Sequence, residues 1–163
     1  MKKLFFVSTL VLLASAAFAA QPQAVKNEVL FNKNEVGLSL FGNYVSKGTD
    51  KYGGGVGLSF FPAQKFLGAE VSTTLNNVNG KVLDNMRLDG IVRIPLDKYR
   101  LALLVNGGAD LIFGSEHWSP GAGVGAEYRF NQKWGVRANY RYIIKYNSVP
   151  ENNEVRVGLN LVF

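Results

Sequence analysis

The last eight residues, Arg156 to Phe163, constrain the fold more than any other stretch. Val157, Leu159, Leu161 and Phe163 fall on one face and Arg156, Gly158 and Asn160 on the other, so this is a strand that stops on an aromatic ring. A soluble domain seldom finishes on an unprotected apolar strand, because such an edge templates aggregation.

At the other terminus, Lys2 and Lys3 precede an apolar run from Leu4 to Phe18 and the small-residue sequence Ala17-Phe18-Ala19. That is the pattern of a secretory signal peptide over residues 1–19, with cleavage expected after Ala19. The run is too short for a convincing membrane-spanning helix, and no later stretch is apolar enough for one. Any membrane crossing must therefore be made by strands. The chain has no Cys, which excludes a lipid-anchored cysteine and a disulfide framework. Loss of Lys2 and Lys3 takes the formal net charge from +6 to +4. The remaining basic residues are scattered singly, which argues against nucleic acid as a partner.

Residues 20–34 read as a polar periplasmic lead-in without a motif, followed by a β-barrel domain over 35–163. That domain divides into eight alternating segments, roughly 35–45, 52–61, 66–76, 82–95, 99–113, 120–130, 134–146 and 154–163. Three connections are tight: Pro62 to Lys65, the turn at Asp97-Lys98, and Asn131-Gln132-Lys133. Four are longer: Ser46 to Lys51, Asn77 to Lys81, Gly114 to Ser119, and Asn147 to Asn153. The two kinds alternate, as expected if every tight turn lies at one end of an all-β, eight-stranded antiparallel up-and-down barrel.

Alternation leaves the direction of the apolar face open. A soluble barrel turns it inward around a ligand, whereas a transmembrane barrel turns it to lipid. Three features favour the transmembrane reading. Aromatic residues of the apolar parity gather at one end (Phe60, Tyr99, Phe130, Trp134, Phe163) and at the other (Tyr44, Phe113, Tyr142, Tyr146), as interfacial girdles do. A three-residue turn at Asn131-Gln132-Lys133 sets Glu127 opposite Arg137, Arg129 opposite Gly135 and Arg141 opposite Gly123. Long guanidinium groups set against glycine suit a narrow lumen. The same parity collects Glu70, Asp89, Asp110, Glu127 and Glu154 with Arg87, Arg93, Arg100, Arg129, Arg137, Arg141, Lys145 and Arg156. Such a set of acid–base pairs fills a lumen, and Glu127 is expected to pair with Arg137 and Arg141.

The run Pro120-Gly121-Ala122-Gly123-Val124-Gly125-Ala126-Glu127-Tyr128-Arg129-Phe130, followed by Trp134-Gly135-Val136-Arg137-Ala138-Asn139-Tyr140-Arg141-Tyr142, resembles the OmpA/OmpX-like barrel superfamily. Its G-x-G-x-E-Y-R-F and W-G-x-R-x-x-Y-R-Y patterns match position by position. The closing strand likewise resembles the C-terminal assembly signal of bacterial outer-membrane barrels, with Arg156, Gly158, Leu161 and Phe163 in its four defined positions. The resemblance implies an outer-membrane barrel bathed in lipid, with both termini in the periplasm and the insertion machinery as its partner during assembly. It does not imply one function, since relatives include tethering, adhesive and lipid-modifying barrels. The chain stops at Phe163, before any peptidoglycan-binding domain of the longer relatives, so tethering to the cell wall is not expected.

His117 is the single histidine, in Glu116-His117-Trp118-Ser119-Pro120. His-x-Ser near the outer end of a strand is similar to the outer-membrane lipid A deacylases. No acidic residue stands at that family's distance, and parity points His117 and Ser119 to the lumen unless Pro120 brings a bulge. A loop histidine without a catalytic role is expected. One histidine, no cysteine and dispersed carboxylates give no metal site and no cofactor. The reading is a non-enzymatic outer-membrane barrel, structural or interactive in role, whose outer loops meet a ligand the sequence does not name. The alternatives are a lipid A-modifying enzyme using His117 and Ser119, and a soluble periplasmic barrel for an apolar ligand. A passive pore is disfavoured because side chains fill an eight-stranded lumen.

Overall fold

The computed structural model describes residues 29–47, 51–62, 64–75, 85–112, 117–146 and 151–163. The expected signal peptide, the first part of the lead-in and Phe113 lie outside them. Eight strands follow one another: β1 (Glu35–Val45), β2 (Tyr52–Phe61), β3 (Leu67–Leu75), β4 (Asn85–Leu96), β5 (Leu101–Ile112), β6 (His117–Arg129), β7 (Trp134–Ile143) and β8 (Asn152–Val162). Each pairs with its neighbours in the chain, and β8 returns to β1 to close an antiparallel up-and-down barrel. The terminal strand that would be a liability on an open sheet thus has partners on both sides. Among the described residues no helix is long and apolar enough to cross a membrane. An 11-residue strand such as β1 runs about 36 Å, and a tilt of about 40° gives a barrel height near the hydrocarbon thickness of a bilayer.

The parity is that of a transmembrane barrel. Leu40 and Leu88 face out at 64% and 61% exposure, while Arg93 and Glu127 face in at 0%. This overturns the soluble, ligand-carrying alternative, since the apolar face is the outer one. Among the described residues the buried apolar side chains are few: Leu30, Phe31 and Ala102 form one cluster and Phe61, Ile91 and Leu104 another, with Phe41 and Val162 besides.

The turns follow local chemistry. Between β6 and β7, Asn131 Oδ1 accepts from the backbone N–H groups of Lys133 and Trp134 at 2.8 and 2.9 Å, which fixes the three-residue turn and its register. Between β4 and β5, a 3₁₀ turn covers Asp97–Tyr99 and Arg100 takes the left-handed conformation at φ 55°. Tyr99 and Arg100 therefore belong to the turn, and β5 begins two residues later than the alternation indicates. Pro120 does not start β6, nor does it bulge it: pairing with β5 is continuous from Ile112↔His117 to Leu101↔Tyr128. Proline is tolerated because its missing N–H removes one ladder bond while its carbonyl still accepts from Ile144 N at 2.9 Å.

Candidate functional site

The inward parity brings together six arginines and six carboxylates in two alternating rows. The first row, nearer the mouth that carries the termini, runs Arg93–Glu35–Arg129–Glu127–Arg137–Glu70. Glu35 accepts from Arg93 at 2.6 Å and from Arg129 at 2.8 and 2.9 Å. Glu127 accepts from Arg129 at 2.8 Å, from Arg137 at 2.9 Å and from Asn160 at 3.1 Å. Arg137 reaches on to Glu70 at 2.5 Å. The second row, towards the far mouth, runs Asp89–Arg141–Asp110–Arg87–Glu154–Arg156. Arg141 donates to both oxygens of Asp89 at 2.7 and 2.9 Å and to Asp110 at 3.1 Å. Arg87 joins Asp110 at 2.6 Å to Glu154, and Glu154 accepts from Arg156 at 2.9 Å. Burying twelve charges is tolerable only because every one has a hydrogen-bonded partner of opposite sign.

Several positions differ from the sequence reading. Glu127 pairs with Arg137 and Arg129; Arg141 turns away to Asp89 and Asp110. Although Arg141 is registered opposite Gly123, its guanidinium lies over Gly121, whose added Cβ would sit 2.6 Å from Nε. The side chain is longer than one strand spacing, so it crosses diagonally to the carboxylates above. Arg100 is not in the lumen: its Nη1 donates to Phe130 O at 2.7 Å at the turn. Lys145 is exposed beyond the end of β7. Glu35 was not among the expected lumen charges. Its signal was its place in the inward series Glu35, Gly37, Ser39, Asn43, all of one parity.

The end of the lead-in is also inside. Asn34 takes a left-handed conformation at φ 58°, turning residues 29–34 back across the mouth. Leu30 and Phe31 become fully buried, and the Phe31 ring faces the guanidinium carbons of Arg129 at 4.4 Å and Arg93 at 5.3 Å. Arg129 donates to Leu30 O and Arg93 to Asn32 O, the latter at 2.8 Å, while Asn32 N–H donates to Glu35 at 2.6 Å. This stopper uses one apolar pair, too short to carry a periodic signal. Inward aromatics serve elsewhere as well: Phe61 stacks on Arg93 at 3.8 Å and Phe41 on Arg156 at 4.3 Å.

Aromatic rings stand at both rims. Phe60, Tyr99, Phe130, Trp134 and Phe163 are exposed at the termini mouth, as is Phe66. At the far mouth Tyr44 meets Tyr52 at 5.2 Å, and Trp118 meets Tyr146 at 4.6 Å. There Lys47 donates to Glu151 at 2.8 Å and Tyr142 Oη donates to the same carboxylate at 3.1 Å. The Lys47 and Tyr142 hydrogen bonds hold the Glu151 carboxyl below its ordinary pKa. The side chain of His117 lies outside the described residues. Ser119 is fully buried and donates to Ile144 O at 2.6 Å, so its hydroxyl faces the lumen and is already engaged. Among the described residues no group of three His, Cys, Asp or Glu is placed to hold a metal ion.

The terminal positions differ in what they touch. Arg156 belongs to the second row and also donates to Ser72 Oγ at 2.9 Å. Gly158 pairs with Phe41 so closely that an added Cβ would stand 2.6 Å from Phe41 Cβ and 2.7 Å from Phe41 Cα. Leu161 pairs with Leu38 and Trp134. Phe163 is 71% exposed, and its backbone N–H holds β1 by donating to Val36 O at 2.9 Å.

No curated protein matches the chain. Among solved structures, a de novo designed transmembrane β-barrel is similar over 83% of this chain and 100% of its own, with 19% identity and a TM-score of 0.64. The N-terminal barrel domain of OprF from Pseudomonas aeruginosa is similar over 80% and 98%, with 15% identity and a TM-score of 0.63. The Yersinia pestis outer membrane protein Ail in a phospholipid nanodisc is similar over 80% and 100%, with 17% identity and a TM-score of 0.53. At these identities the likeness is one of fold. The family model described as an outer membrane protein beta-barrel domain matches residues 10–163, and the chain belongs to that family.

Proposed function

We propose that the chain is a non-enzymatic barrel of the bacterial outer membrane, closed by its own side chains, with a structural or surface-interaction role. The two neutral rows of paired charges carry this reading, because they occupy the cross-section a pore would need. The termini face the periplasm: their mouth has the short turns and the far mouth the longer connections, the usual asymmetry of such barrels. Residues of the far mouth then form the recognition surface. After expression with its own N-terminus, the protein should stay in carbonate-washed membranes, migrate differently unboiled and boiled, and leave proteoliposomes impermeable to small sugars. A periplasmic protein without a mobility shift would remove the membrane role, and sugar-permeable vesicles would remove the closed lumen.

The lipid A-modifying alternative needs a hydroxyl nucleophile facing acyl chains, and the Ser119 hydroxyl faces the other way. His117→Ala should leave lipid A acylation unchanged by mass spectrometry; an altered acyl pattern in cells carrying it would restore the enzyme.

A further inference from the structure

The barrel's charge is unevenly divided. The lumen rows cancel, and the far connections 46–51, 76–84, 113–116 and 144–151 contain as many acidic as basic residues in sequence. At the termini mouth, by contrast, the described side chains are Lys33, Lys65, Lys98, Arg100 and Lys133 against Asp97 alone. Counted over the connections in sequence, the excess positive charge therefore lies at the termini mouth. It is interleaved with the exposed rings of that rim: Lys65 lies 5.6 Å from the Phe66 ring centroid and Lys98 5.6 Å from that of Tyr99. Lys65 is the cation partly neutralised, by Asp97 at 3.6 Å. Between residues 29–33 and the β2–β3 turn an open groove of about 550 Å³ has Lys33 and Lys65 in its wall and the half-exposed Phe66 at its lip.

We infer that this rim is a binding surface for phospholipids with a net-negative headgroup, with the phosphate among the rim cations and the acyl chains along Phe66 and Leu67. The inference rests on the membrane reading above. Ammonium groups at headgroup depth attract anionic lipid within a Debye length, and rings beside them hold that depth. The far connections, which sum to zero charge in sequence, supply no such excess and select no lipid by charge, although that rim has aromatic rings too.

The two tryptophans report on the two rims separately, since Trp134 follows Lys133 at the termini mouth and Trp118 stands at the far mouth. W118F and W134F variants, refolded into symmetric phosphatidylcholine vesicles, are titrated with brominated phosphatidylglycerol or brominated phosphatidylcholine. Trp134 should be quenched with about threefold higher apparent affinity by the anionic lipid, and Trp118 equally by both. Raising the salt to about 0.5 M, or introducing K33Q/K65Q/K98Q/K133Q into W118F, should bring the ratio at Trp134 to one. Equal quenching of Trp134 by the two lipids at low salt, or the same excess at Trp118, would overturn the inference while leaving the barrel in the membrane. No quenching of either tryptophan by either lipid would overturn the membrane reading itself, and this inference with it.

Discussion

Glu127→Ala is expected to destabilise the folded barrel by about 4 kcal/mol, as breaking a buried ion pair from one side does. The carboxylate is wholly buried and, among the described residues, joins Arg129 to Arg137, with Asn160 bonded to the same oxygen as Arg129. Its removal leaves two guanidinium groups without the carboxylate between them, Arg129 keeping Glu35 and Leu30 O and Arg137 keeping Glu70. Arg137→Ala should cost less, about 3 kcal/mol, because Glu127 retains Arg129 and Asn160 and the site is slightly exposed. The double variant should fall short of the sum by about 1–3 kcal/mol, the coupling of residues within one network. Urea unfolding in detergent micelles, followed by the unboiled band, measures all three. Wild-type midpoints for both single variants would show that the rows do not hold the barrel.

Gly158→Ala should lower refolding from urea into detergent to a small fraction of wild type, and Phe163→Ala should not. The added methyl at Gly158 meets the backbone of Leu40 and Phe41, which no rotamer change can relieve, and it does so at the β1–β8 seam that closes the barrel. Overpacking of this kind costs about 3 kcal/mol. The Phe163 side chain is mostly exposed and its seam bonds are made by the backbone, so truncating it should leave the seam intact. In cells the comparison separates packing from recognition. Phe163→Ala should reduce membrane assembly even though the purified protein refolds, if the terminal aromatic is read by the insertion machinery, as the resemblance of the closing strand implies. A Gly158→Ala protein that refolds like wild type but fails only in cells would move Gly158 from the packing role to the recognition role.

How much of this was legible beforehand depended on whether a feature repeats. Strand pairing across Asn131-Gln132-Lys133 follows from period-two alternation and one turn, because slipping the register by a single residue would put Glu127 and Arg137 into lipid. Asp89, Arg93 and Glu70 could be placed in the lumen for the same reason. Their partners could not, since an arginine side chain reaches across the lumen to strands far away in sequence: Arg137 to Glu70, Arg87 to Glu154, Arg93 to Glu35. Leu30 and Phe31 gave no warning, because two apolar residues have no period and their burial depends on a left-handed turn at Asn34.

The amino-acid sequence by itself determined the number of strands, their order and which side chains face lipid, because a pleated strand turns successive residues to opposite faces whatever surrounds it. Closure of the barrel decided the rest. Bringing β8 against β1 packed the polar parities of eight strands into a space too narrow for water to screen them, and only there did charge choose partner by reach and sign. It also gathered lysines from separate turns onto a single rim, a surface that no continuous segment of the chain contains.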